Sequence, residues 1–251
     1  MALDIKIGSY SLGNYIDAFS ISQESRLNQI AIPRRDGFLS DDPYKTGISI
    51  AMGGLIYNDS ADDSRSALNS LKGALSGSSF VITVYSDRQI TCKKIYFTAS
   101  YEESDLRRIR WEAEVSSDDY GFVAVNQTAT ENSQSASPQT NTHTNNGNLD
   151  TYAVIRITAG TDTIASGVRI DNLTNDKFFT YNATITTGNW IEVDTENLTV
   201  VDQSGVNKVA NFQGDFFRLA AGDNSIKYTG TVSGATKPKL KLTYRDKYDG
   251  F

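Results

Sequence analysis

Short runs in which apolar and polar residues alternate, separated by glycine and other turn-forming residues, recur along most of this chain. Such period-two alternation predicts half-buried β-strands. In the first half the runs fall at residues 5–7, 15–21 and 26–32, with Gly8-Ser9 and Gly13-Asn14 as punctuation. Residues 46–57 place Ile48, Ile50 and Met52 on one face and Gly47, Ser49 and Ala51 on the other, and Gly53-Gly54 bends the strand. Runs at 80–85 and 89–97, joined by Ser86-Asp87-Arg88, predict a hairpin. The clearest alternation lies in 107–116, where Ile109, Trp111, Ala113 and Val115 face a core and Arg108, Arg110, Glu112 and Glu114 face away. Helical period appears only in residues 63–76, where Ala67, Leu68, Leu71, Ala74 and Leu75 make one apolar stripe. Asp62, Asp63 or Ser64 caps the start of this helix and Gly77 ends it.

The second half carries strand-like runs at 152–158, 166–170, 177–185, 189–193, 198–201, 215–220, 224–229 and 239–244, with no helical period. Short strands with turns between them predict a β-sandwich, most simply a jelly roll. Between the halves, residues 126–148 contain no Ile, Leu, Val, Met or aromatic residue. A segment of Ser, Thr, Asn and Gln offers little apolar burial to offset its ordering entropy, so it reads as a solvated linker. The expected division is a domain at 1–125, a polar linker at 126–146 and a second domain at 147–251. Within the first domain, residues 33–44 mix charge, Gly and Pro with aromatic residues. This predicts a long exposed loop, read as an interaction arm because Phe38, Leu39 and Tyr44 are poor residues to leave in water.

A formal net charge of −6 argues against gripping nucleic acid through its phosphates, while leaving room for a surface past which DNA slides. The single cysteine, Cys92, forbids an intrachain disulfide. No apolar run has the length of a membrane span, so membrane insertion is not expected, and the N-terminus lacks a secretory pattern, which predicts synthesis without export. The only histidine, His143, falls in the polar linker, where nothing is expected to orient it for general-base or nucleophilic chemistry. One Cys and one His cannot build a zinc cluster, and no phosphate-binding loop or dinucleotide fingerprint occurs. Adjacent acids such as Asp41 and Asp42, Asp62 and Asp63, Glu102 and Glu103, or Asp118 and Asp119 point apart in extended chain and read as solvated turn residues. No catalytic residue, metal or cofactor is assigned. Trp190, Tyr181, Tyr228 and Tyr244 leave a glycan-stacking role open for the second half, with Trp190 and Tyr181 as contacts. The alternative is that Trp190 is an ordinary core residue.

The order of elements itself carries a resemblance. Initial strands, a loop over 35–44, a strand ending IAMGGLIY, the helix SRSALNSLKGAL, a hairpin, and a strand closing RWEAEVSSDDYGF resemble the N-terminal domain of siphophage distal tail proteins. GNWIEVDTENLTVVDQSGVN and GDFFRLAAGDNSIKYTG resemble that family's C-terminal domain, with Trp190, Ile191, Val193, Leu198, Val200, Phe216, Leu219, Ile226 and Tyr228 at core-strand positions. The resemblance implies a mainly β protein, with a tail-tube-like β-sandwich bearing one helix and then a galectin-like sandwich. It further implies a homohexameric ring at the tail tip that joins the tube protein to the tip or hub protein and lets DNA pass. The second domain would project outward, toward a receptor-binding protein. Arg34, Arg35, Phe38, Leu39, Tyr44, Arg108, Arg110, Glu112 and Glu114 are the expected interface residues.

Overall fold

A computed structural model describes residues 4–26, 29–31, 38–40, 44–84, 86–102 and 104–249 of the 251. The chain is mainly β and divides into two compact units, Met1–Val125 with Asp249–Phe251, and Asn126–Tyr248. Each has its own apolar core.

In the first unit the described strands are β1 (Ile5–Ile7), β2 (Tyr10–Ser11), β3 (Ala18–Arg26), β4 (Gln29–Ala31), β5 (Phe38–Ser40), β6 (Tyr44–Tyr57), β7 (Phe80–Val84), β8 (Arg88–Glu102), β9 (Asp105–Ser117) and β10 (Phe122–Ala124), with the helix α1 (Ala61–Ala74) between β6 and β7. An antiparallel sheet runs in the order β2-β1-β7-β8-β9-β6-β3, β10 lies along β8, and β4 and β5 form a separate hairpin. The alternation expected for β9 holds, with Ile109, Trp111, Ala113 and Val115 all buried. They meet Ile48, Ile50 and Met52 of β6, and Leu68 and Leu71 of α1 join the same core. The helix begins earlier than predicted, because Ser60 is its cap: its Oγ accepts from the Asp63 amide at 3.1 Å and donates to the Asp63 carboxylate at 2.6 Å. Ser64 is buried instead and donates to the Arg107 carbonyl at 2.6 Å, pinning the first helical turn to β9.

Three further boundaries differ from the reading of the sequence. Residues 13–15 form a 3-10 turn, so β3 starts at Ala18, and the run expected at 26–32 divides between β3 and β4. Part of the predicted loop is also strand, since Phe38–Ser40 pairs with Gln29–Ala31 in the register Ile30↔Leu39. A short triplet that contains β-prone residues can pair even inside a charged segment.

Cys92 points into this core, and burial pushes its thiol up to about 12. The thiolate is the reactive form. The folded protein is therefore expected to resist a maleimide or disulfide reagent at pH 8, reacting only as fast as the first unit opens; rapid stoichiometric labelling without unfolding would contradict this placement.

The second unit contains β11 (Thr128–Ser133), β12 (Gln139–Asn145), β13 (Ala153–Thr158), β14 (Val168–Asn172), β15 (Lys177–Tyr181), β16 (Trp190–Asp194), β17 (Thr199–Asp202), β18 (Phe212–Gly214), β19 (Gly222–Thr229) and β20 (Lys239–Tyr244). They make two five-stranded sheets, β11-β20-β13-β16-β17 and β12-β19-β14-β15-β18. Ile155, Ile157, Val193, Leu240 and Leu242 of the first share a core with Ile170, Phe179, Ile226 and Tyr228 of the second, which makes the unit a β-sandwich.

The predicted linker is not a strap between bodies. Residues 128–133 and 139–145 are the strands β11 and β12, each at the edge of one sheet, paired with β20 and β19 respectively. Backbone pairing satisfies their amides and carbonyls, and neighbouring strands provide a core to which the segment itself adds no apolar side chain. His143, expected to lack orientation, is buried and lies 2.6 Å from the Thr130 hydroxyl. The strand predicted at 215–220 gives way to β18, just before it, while Phe217 and Leu219 reach the core from irregular chain. Leu198, expected at a core position, is 60% exposed with φ of 55°, in the turn before β17.

Candidate functional site

Two long strands, β8 and β9, make the hairpin at the centre of the first unit's sheet, and its outward face carries the candidate site. Because successive side chains alternate across a strand, burying Ile109, Trp111 and Ala113 forces Arg108, Arg110 and Glu112 outward. Arg108 pairs with Glu102 at 3.0 Å, Arg110 approaches Asp17 at 4.0 Å, and Glu114, half-buried, accepts from Ser49 Oγ at 3.0 Å. Both charged pairs sit in water, so their contribution to stability is small. Beyond them, Arg107 is held by Asp105 at 3.0 Å, and hydrogen bonding from Arg107 holds the Asp105 carboxyl below its ordinary value. Arg107 and Arg108 both lie over the Tyr57 ring.

The same hairpin exposes large apolar side chains. Ile95, Tyr96 and Tyr101 on β8 and Leu106 on β9 are 54%, 44%, 42% and 61% exposed. The cause is local. A register shift between Lys94 and Tyr96 breaks the alternation, and β8 then continues to Glu102, well beyond the strand end predicted at residue 97. Next to this surface lies a shallow hollow of about 600 Å³, lined among others by Asp17, Phe19, Met52, Tyr96, Arg110 and Glu112. Phe19 belongs to β3, which ends the strand order, so among the described strands none pairs along its outer edge. An unpaired edge of this kind is a template for another strand.

Of the residues expected at an interface, Arg108, Arg110, Glu112 and Glu114 share this face. Arg34 and Arg35 lie outside the described residues. Phe38, Leu39 and Tyr44 lie in β5 and β6, with their side chains outside the described set. Sequence reasoning missed Ile95, Tyr96, Tyr101 and Leu106. For Ile95 and Tyr96 the available signal was the run Ile95-Tyr96-Phe97, three consecutive large apolar residues that break the period of two.

The glycan contacts fare less well. Tyr181 is 3% exposed on the inner side of β15 and cannot stack on a surface ligand, and Tyr228 and Tyr244 are also buried. Trp190 is half-buried with the Arg156 guanidinium 4.2 Å from its ring centroid, and Glu192 holds that guanidinium at 2.6 Å. A hollow of about 200 Å³ beside it is lined by Asn189, Asp202, Lys208 and Asn211, but Asp202 is already bonded to Lys208 and to its own turn. Among the described residues there is no cluster of three or more His, Cys, Asp or Glu able to hold a metal ion.

Residues 146–248 match the family model of the siphovirus-type tail component, C-terminal domain. Among solved structures, the chain shares its fold with the Dit protein (gp 19.1) of SPP1, described as a paradigm of the hub adsorption apparatus in phages infecting Gram-positive bacteria. That likeness has a TM-score of 0.74 at 14% identity and covers 98% of this chain and 99% of the other. A chain of the phage P2 baseplate in its activated conformation matches at 9% identity, with a TM-score of 0.49 and all of both chains covered. No curated protein sequence matches the chain.

Proposed function

We propose that this chain, whose second unit is a siphovirus-type tail component domain and whose fold throughout is that of a distal tail protein, is a structural component of a phage tail tip. In this reading copies of the first unit join side by side into a homohexameric ring, between the tail tube protein and the tip or hub protein, and DNA passes through its channel. The observation that carries it is the hairpin face, where exposed Tyr96 and Leu106 stand with an Arg/Glu row, near exposed Ile95, beside a strand edge that no described strand pairs. Exposed apolar side chains interspersed with both signs of charge suit contact with another protein surface, and in a ring each copy presents this face to a different surface of the next copy. Net negative charge suits a passage that must not hold DNA. The second unit serves as a peripheral platform for a receptor-binding protein, and the protein is made in the host cytoplasm and carried in the virion.

Light scattering behind size exclusion, across a concentration series, tests the ring: mass is expected to rise toward six copies. Replacing Ile95 and Leu106 together by Glu should weaken association at least tenfold, about 1.4 kcal/mol, without lowering the melting temperature, because both side chains are more than half exposed. Deleting residues 36–42 should weaken it as well. A strict monomer at every concentration, or Glu variants that assemble like the parent, would rule out this interface.

A further inference from the structure

His143 is among the most deeply buried ionisable groups of the described chain. It is 1% exposed, on the inward side of β12. Its Nδ1 meets Thr130 Oγ1 at 2.6 Å, and Thr130 belongs to β11, the edge strand of the opposite sheet. Its Nε2 is buried with no hydrogen-bond partner among the described residues. The ring therefore ties together two strands that contribute no residue to the sandwich's apolar core.

Protonation upsets this contact. In the neutral ring one nitrogen is a donor and the other an acceptor, so the Thr130 hydroxyl, which can donate or accept, satisfies Nδ1 in either tautomer. In the imidazolium both nitrogens are donors, and Nε2–H then carries positive charge into a site with no acceptor. Among the described residues, the surrounding elements supply no compensating anion. Inward-facing neighbours on the paired strand β19 include Asn224, register partner of His143, and from β20 the Tyr244 hydroxyl donates to the carbonyl of Thr144 at 2.8 Å. Glu131 on β11, Asp223 and Lys227 on β19, and Lys239 and Lys241 on β20 alternate to the opposite face. Glu131 is taken by Lys239, Asp223 by Thr144 Oγ1 and Asp246 by Asn146.

We propose that His143 is a proton-sensitive clasp, which in its neutral form closes β11 and β12 onto the sandwich and on protonation releases them, uncovering the edges of β20 and β19. Burial, the cause of the shift, holds the imidazole below its ordinary value of 6.5. The sign follows from linkage. The unfolded or opened chain takes up the proton first as pH falls, so the clasp's contribution is complete above pH 6.5 and is lost progressively from there down to the folded value. Within that window each pH unit changes the opening equilibrium about tenfold. Freed edges would then be open to pairing with another strand.

Two measurements on the full chain test this. Because His143 is the only histidine, its ring resonances report one site. In the native protein they should show no titration near 6.5, and amide exchange in β11 and β12, corrected for intrinsic rates, should accelerate about tenfold per unit below that pH. His143→Gln, which cannot become cationic, should lose this acid dependence while keeping the fold at pH 7.5. A histidine that titrates near 6.5 with exchange unchanged would overturn the proposal, as would identical acid profiles for parent and variant. If the variant does not fold, the resonance titration of the unaltered protein decides alone.

Discussion

Replacing Trp111 by Ala is expected to destabilise the first unit by about 3–5 kcal/mol, enough to unfold it and abolish assembly. Trp111 is 1% exposed in the middle of β9, flanked by β8 and β6. Its indole stacks near Phe97, with ring centroids 6.4 Å apart, and its Nε1–H donates to the Tyr15 carbonyl at 2.9 Å. That carbonyl closes on the sheet at Gly54, where any Cβ would overlap its oxygen. One side chain thus fills the core and holds the 3-10 turn that leads into β3, so losing it disturbs the open edge as well as the packing. Trp111→Phe should retain most of the apolar volume and cost chiefly the hydrogen bond, about 1 kcal/mol. Urea unfolding, followed together with solution mass, reads both effects. A Trp111→Ala protein with unchanged unfolding and unchanged association would refute this account of the unit.

The legible parts of this fold were those in which burial and period coincide. β9 and α1 each present a single apolar face, so their sidedness follows from the sequence, and with it the outward position of Arg108, Arg110 and Glu112. The segment over β11 and β12 was opaque for the opposite reason. Its strands are held by the ladders of β20 and β19 and by polar side chains such as His143, a form of order that hydrophobic pattern does not register. Leu198 misled because an apolar residue next to a strand reads as strand, whereas here it occupies a left-handed turn position.

The apolar half of the candidate interface was hidden by a related ambiguity. Within a strand, Ile95, Tyr96, Tyr101 and Leu106 read as core. The register shift after Lys94 puts Tyr96 on the side of Glu114, Leu106 shares the parity of Arg108, and Tyr101, opposite Ile109, is exposed on the core side near the hairpin's end. A sequence records that such residues avoid water, but it does not say whether the shelter comes from the same chain or from another copy. Charged residues carry no such ambiguity, which is why the Arg/Glu row could be placed and its apolar companions could not.

The separate cores make the division of labour testable from the other side. Phe179→Ala should destabilise the second unit by about 3–5 kcal/mol, because Phe179 is fully buried on β15 and stacks with Phe212 and Phe217 at centroid distances of 5.3 and 5.9 Å. Neither partner belongs to the first unit's core, and the two clusters share no residue. Unfolding should therefore divide into two transitions, with the Phe179 variant lowering only that of the second unit. If the hairpin face and the edge of β3 build the ring, the mass of the Phe179→Ala protein should still rise with concentration as the parent's does, even when its second unit is unfolded. Amide exchange, resolved by segment, identifies which unit has opened, and light scattering reads the assembly. Loss of association together with the second unit would mean that β11 to β20 help to hold the copies together, and the placement of the ring in the first unit alone would be wrong.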